Sequence, residues 1–144
     1  MRRRTLLLSF AALALCHSAA PRPDSEQEVS DLFASLAAAL SEGNAGAFLE
    51  GFDPAMAGFE KLRDDVTGLV REAELQSSIE FLANDGDDRA RTVSVDWILR
   101  IDQRQDAGGG TRRRQTVKCR VAKQGKRWRI EALDPREFFA PPRL

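Results

Sequence analysis

Few residues in this 144-residue chain could perform catalysis, because it has no tyrosine and a single histidine, His17. The carboxylates of Asp53 and Asp96 are the candidates for a general base. A base that removes a proton beside a carbonyl works with a donor that stabilises the oxyanion, and tyrosine often fills that role. Asp53 precedes Pro54, which favours a helix cap, and Asp96 alternates with apolar neighbours, which favours an ion pair across strands. No catalytic residue is predicted.

Cys119 is the candidate nucleophile, and it lies between Val117 and Val121 in an alternating stretch. A reactive thiolate needs a basic neighbour that lowers the pKa of its thiol. We expect His17 to be lost with the first segment of the chain, so no histidine would remain to activate the thiol. Cys119 is therefore predicted to pack in the core as a small apolar side chain.

An acidic cluster is formed by Asp85, Asp87 and Asp88 around Gly86. A calcium loop of the EF-hand type needs ligands at fixed spacings and a closing glutamate at about its twelfth position. This stretch has neither feature. The cluster therefore predicts a solvated turn, and the sequence predicts no bound metal and no cofactor.

The first 20 residues have the order of a secretory signal peptide. Arginines at positions 2–4 precede an apolar run over residues 6–15, and small residues follow at positions 18–20. The run is shorter than the roughly 20 residues that a membrane-spanning helix needs. We therefore expect an exported protein, periplasmic or extracellular, without a transmembrane segment, in which residues 21–25 form a linker.

Two processing events fit the end of this segment, and the sequence leaves both open. Small residues at Ser18 and Ala20 suit cleavage after Ala20, although Pro21 follows directly. Residues 13–16 resemble a lipobox, which would attach a lipid to Cys16, although Leu15 stands where a small residue is usual.

Charge is divided unevenly along the chain. Residues 24–88 contain 16 acidic and three basic residues, whereas residues 107–129 contain nine basic and no acidic residues. Loss of the first 20 residues would leave 19 basic against 22 acidic residues. Alternation places three of the basic side chains on the outer face of a strand: Arg114, Lys118 and Arg120.

This basic stretch is not predicted to bind nucleic acid, because its outward positions carry no aromatic residue and the exported chain would be acidic overall. The stretch predicts a solvated strand face that is partly paired with Asp96 and Asp102. Contact with an acidic surface, such as the helices of a second copy, is the alternative.

Helical periodicity predicts three helices in the first half of the chain. Apolar residues recur every three or four positions over residues 26–40, which predicts the first helix. Ser25 is its predicted N-cap, in a capping box with Glu28. A short helix capped by Asn44 and a third helix over residues 54–70 are predicted to follow.

Beyond residue 73 the apolar period changes to two, which is typical of strands with one buried face. Four strands are predicted, over residues 74–83, 92–102, 115–122 and 127–133. In the last of them, Ala132 is predicted to share the inward face with Trp128 and Ile130. Short turn-rich connections predict an antiparallel meander, and helices packed on one face of it make an α+β fold.

This order of elements resembles the NTF2-like superfamily, which includes SnoaL-like domains and ketosteroid isomerases. The resemblance rests on the opening helix around residues 32–36 with the turn at residues 41–44, the alternating strand around Trp97, and the closing turn and strand at residues 125–130. It covers residues 26–139 and leaves residues 140–144 as a C-terminal tail.

The resemblance implies an NTF2-like or cystatin-like cone, in which a curved antiparallel sheet wraps around the N-terminal helices and a pocket opens at one end. The superfamily includes isomerases, dehydratases, cyclases and binding domains without activity, so the fold alone selects none of these functions. In such a cone, five residues on inward faces are candidate pocket-lining residues: Phe52, Phe59, Trp97, Cys119 and Trp128.

A mostly apolar pocket suits a small apolar ligand. The leading hypothesis is therefore an exported binding or accessory module for such a ligand, rather than an enzyme. One alternative is a SnoaL-like isomerase or hydrolyase that uses a buried carboxylate. The other is a protein-interaction domain that forms a homodimer through its sheet.

Overall fold

The computed structural model describes residues 24–104 and 110–142. Within them, three helices precede four strands and a short 3-10 helix. The elements are α1 (Ser25–Ser41), α2 (Ala45–Leu49), α3 (Phe59–Glu72), β1 (Ala73–Gly86), β2 (Ala90–Gln103), β3 (Thr111–Gln124), β4 (Arg127–Asp134) and the 3-10 helix (Arg136–Phe139). The predicted signal peptide, the lipidation at Cys16 and most of the predicted linker lie outside the described residues.

Two of the three helices, α1 and α3, begin at positions that differ from the predicted ones. Asp24, not Ser25, is the N-cap of α1, and its carboxylate accepts a hydrogen bond of 3.1 Å from the backbone N–H of Glu26. Asn44 caps α2 as predicted, because its side chain accepts a bond of 3.0 Å from the N–H of Ala47.

The third helix starts five residues later than its predicted start at Pro54. Gly58 adopts a left-handed backbone conformation with φ of 80°, which a helix cannot contain, and α3 begins directly after it. The residues before it form turns, and the carboxylate of Asp53 accepts a bond of 2.8 Å from the N–H of Ala55. Asp53 therefore caps a turn and not a helix.

The four strands form an antiparallel meander in the order β1-β2-β3-β4, as predicted. Trp97 at the centre of β2 lies between Ile79 on β1 and Gln115 on β3. One extra residue on β1, Leu82, interrupts the pairing with β2 between Phe81 and Ala83. Such bulges increase the local twist of a sheet and bend it.

A second irregularity corrects the predicted inward face of β4. Arg120 pairs with Ala132 and Val121 pairs with Ile130, so Glu131 is an extra residue on β4. The extra residue shifts the alternation by one position, and Leu133 is buried where Ala132 was predicted to be. Sequence alternation cannot reveal such a shift, because both side chains are apolar.

The three helices pack on one face of this curved sheet, so the fold is α+β. The core lies between the two layers and combines the apolar face of α1 with the inward positions of β2, β3 and β4. We call the opposite face of the sheet, which no helix of the described residues covers, the outer face. No helix in the described residues is long and apolar enough to cross a membrane.

Candidate functional site

The aromatic side chains in the interior pack against each other around Trp97. The ring centre of Trp97 lies 6.5 Å from that of Phe33, 6.4 Å from that of Phe48 and 5.0 Å from that of Phe139. These distances and the tilted or edge-on ring arrangements are those of direct aromatic contact. These aromatic side chains therefore pack directly around Trp97 in the interior.

Two members of this cluster, Phe138 and Phe139, come from the 3-10 helix and were not predicted as functional residues. Phe139 is fully buried, with its ring centre 5.2 Å from that of Phe48. Nη1 of Arg113 donates a hydrogen bond of 2.7 Å to the carbonyl oxygen of Phe138. The inward alternation of β3 extends back from Val117 to Arg113, and this pattern could have indicated the contact.

The five candidate pocket residues divide into four core residues and one at the edge of the core. Trp97, Phe52, Cys119 and Trp128 are buried, whereas Phe59 at the first turn of α3 is half-buried. The main chain beside Phe52 pairs with β4, since the N–H of Asp53 donates to the carbonyl oxygen of Ile130 at 2.9 Å. Their role in ligand binding remains a prediction.

Both indole N–H groups have acceptors within the fold. Nε1 of Trp97 donates to Oγ of Ser77 at 2.7 Å, and Nε1 of Trp128 donates to Oε1 of Glu28 at 2.8 Å. Nζ of Lys123 lies 3.5 Å from the same carboxylate oxygen and 5.9 Å from the ring centre of Trp128. Glu28 therefore joins α1 to β3 and β4, instead of completing the predicted capping box.

Cys119 is buried on the inward face of β3, as predicted. Burial raises the pKa of its thiol to about 12, because desolvation disfavours the thiolate. The nucleophilic form is therefore scarce at neutral pH. Cys119 acts as an apolar core residue.

The two carboxylates considered as general bases are both held in their charged form. The pKa of Asp53 is lowered first by the hydrogen bond from the backbone of Ala55, and then by a bond of 2.9 Å from Nε2 of Gln124. The pKa of Asp96 is lowered by its hydrogen bonds from Arg114. A carboxylate tuned for proton abstraction has a raised pKa, so neither residue matches that requirement.

The acidic cluster at residues 85–88 forms the turn between β1 and β2. Oδ1 of Asp87 accepts hydrogen bonds of 2.9 Å from the N–H groups of both Arg89 and Ala90. Both bonds lower the pKa of Asp87, and the bond from Ala90 has the larger effect. No group of acidic, histidine or cysteine side chains in the described residues is arranged to hold a metal ion.

The outer face is divided by charge. Nε and Nη2 of Arg114 both donate to the carboxylate of Asp96, with a shortest distance of 2.7 Å, which confirms the predicted ion pair. The ion pair predicted between Asp102 and the basic stretch is not found among the described residues. Asp102 instead pairs with Arg100 on its own strand, at 3.5 Å. Beyond these pairs, acidic side chains lie toward β1 and basic side chains lie on β3 and β4.

Three clefts lie on the described surface, and most of the residues that line each of them have polar or charged side chains. One of about 440 Å³ lies between the end of α1 and the start of β1. A second of about 370 Å³ lies on the outer face around Ile98, Arg100 and Arg112. A third of about 510 Å³ lies between the start of β3 and the 3-10 helix, and its lining includes Arg113 and Phe138.

No protein-family model and no curated protein matches this sequence. Solved structures do match the fold. An NTF2-like superfamily protein from Salmonella enterica subsp. enterica serovar Typhimurium str. LT2 has a TM-score of 0.64 at 14% identity, covering 83% of this chain and 92% of that chain.

Two proteins from Novosphingobium aromaticivorans give similar results. An NTF2-like protein with a cystatin-like fold has a TM-score of 0.59 at 14% identity, covering 76% of this chain and 79% of that chain. A candidate scytalone dehydratase has a TM-score of 0.64 at 7% identity, covering 74% of this chain and 79% of that chain. At such low identity the likeness is one of fold and transfers no activity.

Proposed function

We propose, from the premise that this chain has the NTF2-like fold, that it is a protein-interaction domain which pairs with a second copy through the outer face of its sheet. The observation that carries this proposal is the division of charge across that face. Outward charges on β1 and β2 are mainly acidic, with Arg100 as the basic exception, and those on β3 and β4 are mainly basic, with Asp134 as the acidic exception.

The outward positions follow from the alternation within each strand. On β1, Glu74 and Glu80 are exposed between the inward residues Ala73, Leu75 and Phe81. On β3, four basic side chains are exposed on the same face: Arg112, Arg114, Lys118 and Arg120. The outward residues of β4 next to Trp128 are also basic, namely Arg127 and Arg129.

This division selects one of two symmetric arrangements. A two-fold axis that runs along the strands, between two facing sheets, places the acidic half of one copy opposite the basic half of the other. An axis across the strands would place each strand opposite itself and bring like charges together. Electrostatic complementarity of this kind sets the register and orientation of an interface, so we expect the first arrangement.

The size of the outer face is adequate for a stable contact. Three strands of 14 residues and one of eight, at ordinary strand spacings, present a surface of roughly 800 Å². A specific protein interface buries about 800 Å² on each partner. Ile98 is the one large apolar residue among the outward positions of β2, and it lies at the centre of this face between Ser78 and Arg114.

A charge-swap experiment tests the proposal. One variant carries Glu80→Arg, at a position two residues along the strands from Lys118, and the other carries Lys118→Glu and Arg120→Glu. In a homodimer of either variant, like charges would face each other in both halves of the interface. In a heterodimer of the two variants, opposite charges would face each other in both halves. We expect native mass spectrometry to find a dimer for the unchanged protein, monomers for each variant alone, and a heterodimer for the mixture.

A matched pair of single variants locates the contact. Ile98→Arg would place a charge at the centre of the interface and is expected to abolish the dimer. Ser35→Arg, on the exposed side of α1, is expected to leave it unchanged. A monomeric unchanged protein, or equal effects of the two substitutions, would contradict the proposal.

Binding of a small apolar ligand is the second candidate function, and the buried aromatic cluster around Trp97 supports it. A ligand could take the place of Phe138 and Phe139 if the 3-10 helix moved outward, and the half-buried Phe59 would be accessible near it. Native mass spectrometry of protein purified from its own host would detect a bound small molecule at fixed stoichiometry. The isomerase alternative has less support, since the carboxylates of Asp53 and Asp96 are stabilised as anions.

We also propose that the protein is exported, on the strength of the arginines at positions 2–4 and the apolar run over residues 6–15. The intact mass of protein from its own host tests this directly. A mass lacking residues 1–20 would indicate ordinary cleavage, and a mass beginning at Cys16 with added lipid would indicate anchoring. An unprocessed chain would contradict export.

A further inference from the structure

We propose that the first half of β3, residues 111–117, binds an extended acidic segment of a partner protein as an added strand. This half of β3 pairs with β2 on one side, from Thr111 onward. On the other side, β4 pairs with β3 only from Lys118 onward. Among the described residues, seven positions of β3 therefore have a strand on one side only.

The path of the chain after β4 explains why β4 does not pair with residues 111–117. β4 ends at Asp134, and Pro135 leads into the 3-10 helix, whose Phe139 inserts beside Trp97. The chain thus leaves the sheet, and the side chains of Phe138 and Phe139 are buried in the interior. The cleft of about 510 Å³ lies at this point, with residues 112–115 on one side and Pro135, Glu137 and Phe138 on the other.

The far edge of β4 shows how this fold covers an edge elsewhere. There, the N–H of Ile130 donates to the carbonyl oxygen of Gly51 at 2.8 Å, and the N–H of Asp53 donates to the carbonyl oxygen of Ile130 at 2.9 Å. No described segment does the same for residues 111–117. Backbone groups at an unpaired strand edge form a ready template for another strand.

The charge of this edge determines what can bind. Arg112, Arg113 and Arg114 are consecutive, so two copies of the edge would repel each other. Arg112 also lies directly opposite Arg100 on β2, and like charges in directly opposed positions are destabilising. A strand that carries carboxylates would relieve this repulsion, whereas a neutral or basic strand would not.

The spacing of the arginines specifies the partner further. Arg112 and Arg114 both point to the outer face and are separated by about 7 Å along the strand. An added strand also presents alternate side chains on one face. Acidic residues at alternate positions of the partner would therefore reach both guanidinium groups, that of Arg112 directly and that of Arg114 beside its ion pair with Asp96. Main-chain hydrogen bonds would supply affinity, and these two arginines would supply selectivity.

Synthetic peptides can test this with the full-length protein. The probe is a fluorescent eight-residue peptide that alternates glutamate with valine, measured by fluorescence anisotropy at low ionic strength. The first control replaces every glutamate by lysine. The second control keeps the glutamates but is N-methylated at alternate residues, so that it retains its charge and cannot complete a strand ladder.

We expect the glutamate peptide to bind and both control peptides to fail. Arg112→Ser is expected to weaken binding about tenfold, the effect of losing one charge-assisted contact. Lys126→Ser removes the same charge at the turn between β3 and β4 and is expected to have little effect. Circular dichroism spectra and melting temperatures of both variants would confirm that they remain folded.

Three results would overturn the inference. Equal binding of the N-methylated peptide would indicate charge attraction without strand addition. Equal weakening by Arg112→Ser and Lys126→Ser would indicate a diffuse electrostatic effect. Absence of peptide binding, together with amide protection over residues 111–117 that increases with protein concentration, would assign the edge to a second copy. Because the charge-swap variants alter Lys118 and Arg120 and not Arg112, the homodimer proposal can fail independently.

Discussion

Nη1 of Arg113 on β3 lies 2.7 Å from the carbonyl oxygen of Phe138, and this hydrogen bond joins the sheet to the 3-10 helix. Arg113 is partly buried, and desolvation lowers the pKa of its guanidinium, which nevertheless stays charged at every physiological pH. A charged donor to a backbone carbonyl forms a strong bond. The contact ties β3 to the 3-10 helix, whose Phe139 packs against Trp97.

Loss of this hydrogen bond should destabilise the fold. Arg113→Met retains the aliphatic part of the side chain but removes the donor, and we expect a loss of about 2 kcal/mol in the free energy of unfolding. Urea denaturation measures this value. Arg112→Met, at the neighbouring exposed position, should change it by less than about 0.5 kcal/mol. Equal effects at the two positions would show that the contact with Phe138 contributes nothing.

Truncation of Phe139 should be more costly. Phe139 is fully buried against Phe48 and Trp97, so Phe139→Ala removes a large apolar group and leaves a cavity. We expect a loss of about 3–5 kcal/mol in the free energy of unfolding. Leu82→Ala, at a bulge residue that is 55% exposed, should cost far less. A loss below about 1 kcal/mol for Phe139→Ala would show that the 3-10 helix is only loosely packed.

The ion pair between Asp96 and Arg114 should make stability depend on pH. Hydrogen bonds from Arg114 lower the pKa of Asp96 in the folded protein below its unfolded value of about 3.9. The stabilisation is therefore complete above that unfolded value and is lost as the pH falls through the lower, folded value. Asp96→Asn should be less stable than the unchanged protein at neutral pH and equally stable at strongly acidic pH. A constant difference across this range would contradict the assignment.

Cys119 should be unreactive in the folded protein. Its thiol has a pKa of about 12 and is buried, so both the thiolate fraction and reagent access are low. In a Cys16→Ser background, we expect no reaction with a thiol-specific reagent at pH 8, and one equivalent of reaction after denaturation. The double variant with Cys119→Ala should react in neither state. Rapid labelling of the folded protein would show that this part of the core opens frequently.

Much of the fold could be predicted because local sequence patterns report it. In β2, apolar residues at alternate positions from Val93 to Ile101 are all fully or almost fully buried. The spacing of three and four residues in α1 likewise identified its buried face. These periods follow from backbone geometry, in which alternate strand residues share a face and every third or fourth helical residue does so.

The errors arose where the backbone departs from such regularity. The left-handed conformation of Gly58 delays α3, and the extra residue Glu131 exchanges Ala132 for Leu133 in the core. A bulge of one residue leaves no mark in the composition of a strand. Its position depends on pairing with the neighbouring strand, which a local pattern does not contain.

The sequence by itself determined the α+β class, the antiparallel meander, the burial of Cys119 and the separation of acidic and basic segments. Only the tertiary structure decided that Phe138 and Phe139 pack into the interior around Trp97, and that residues 111–117 of β3 pair with a strand on one side only among the described residues. The first group depends on interactions within one segment, whereas the second depends on where distant segments meet. Such meetings are set by the packing of the whole chain, so they could not be deduced from any one segment.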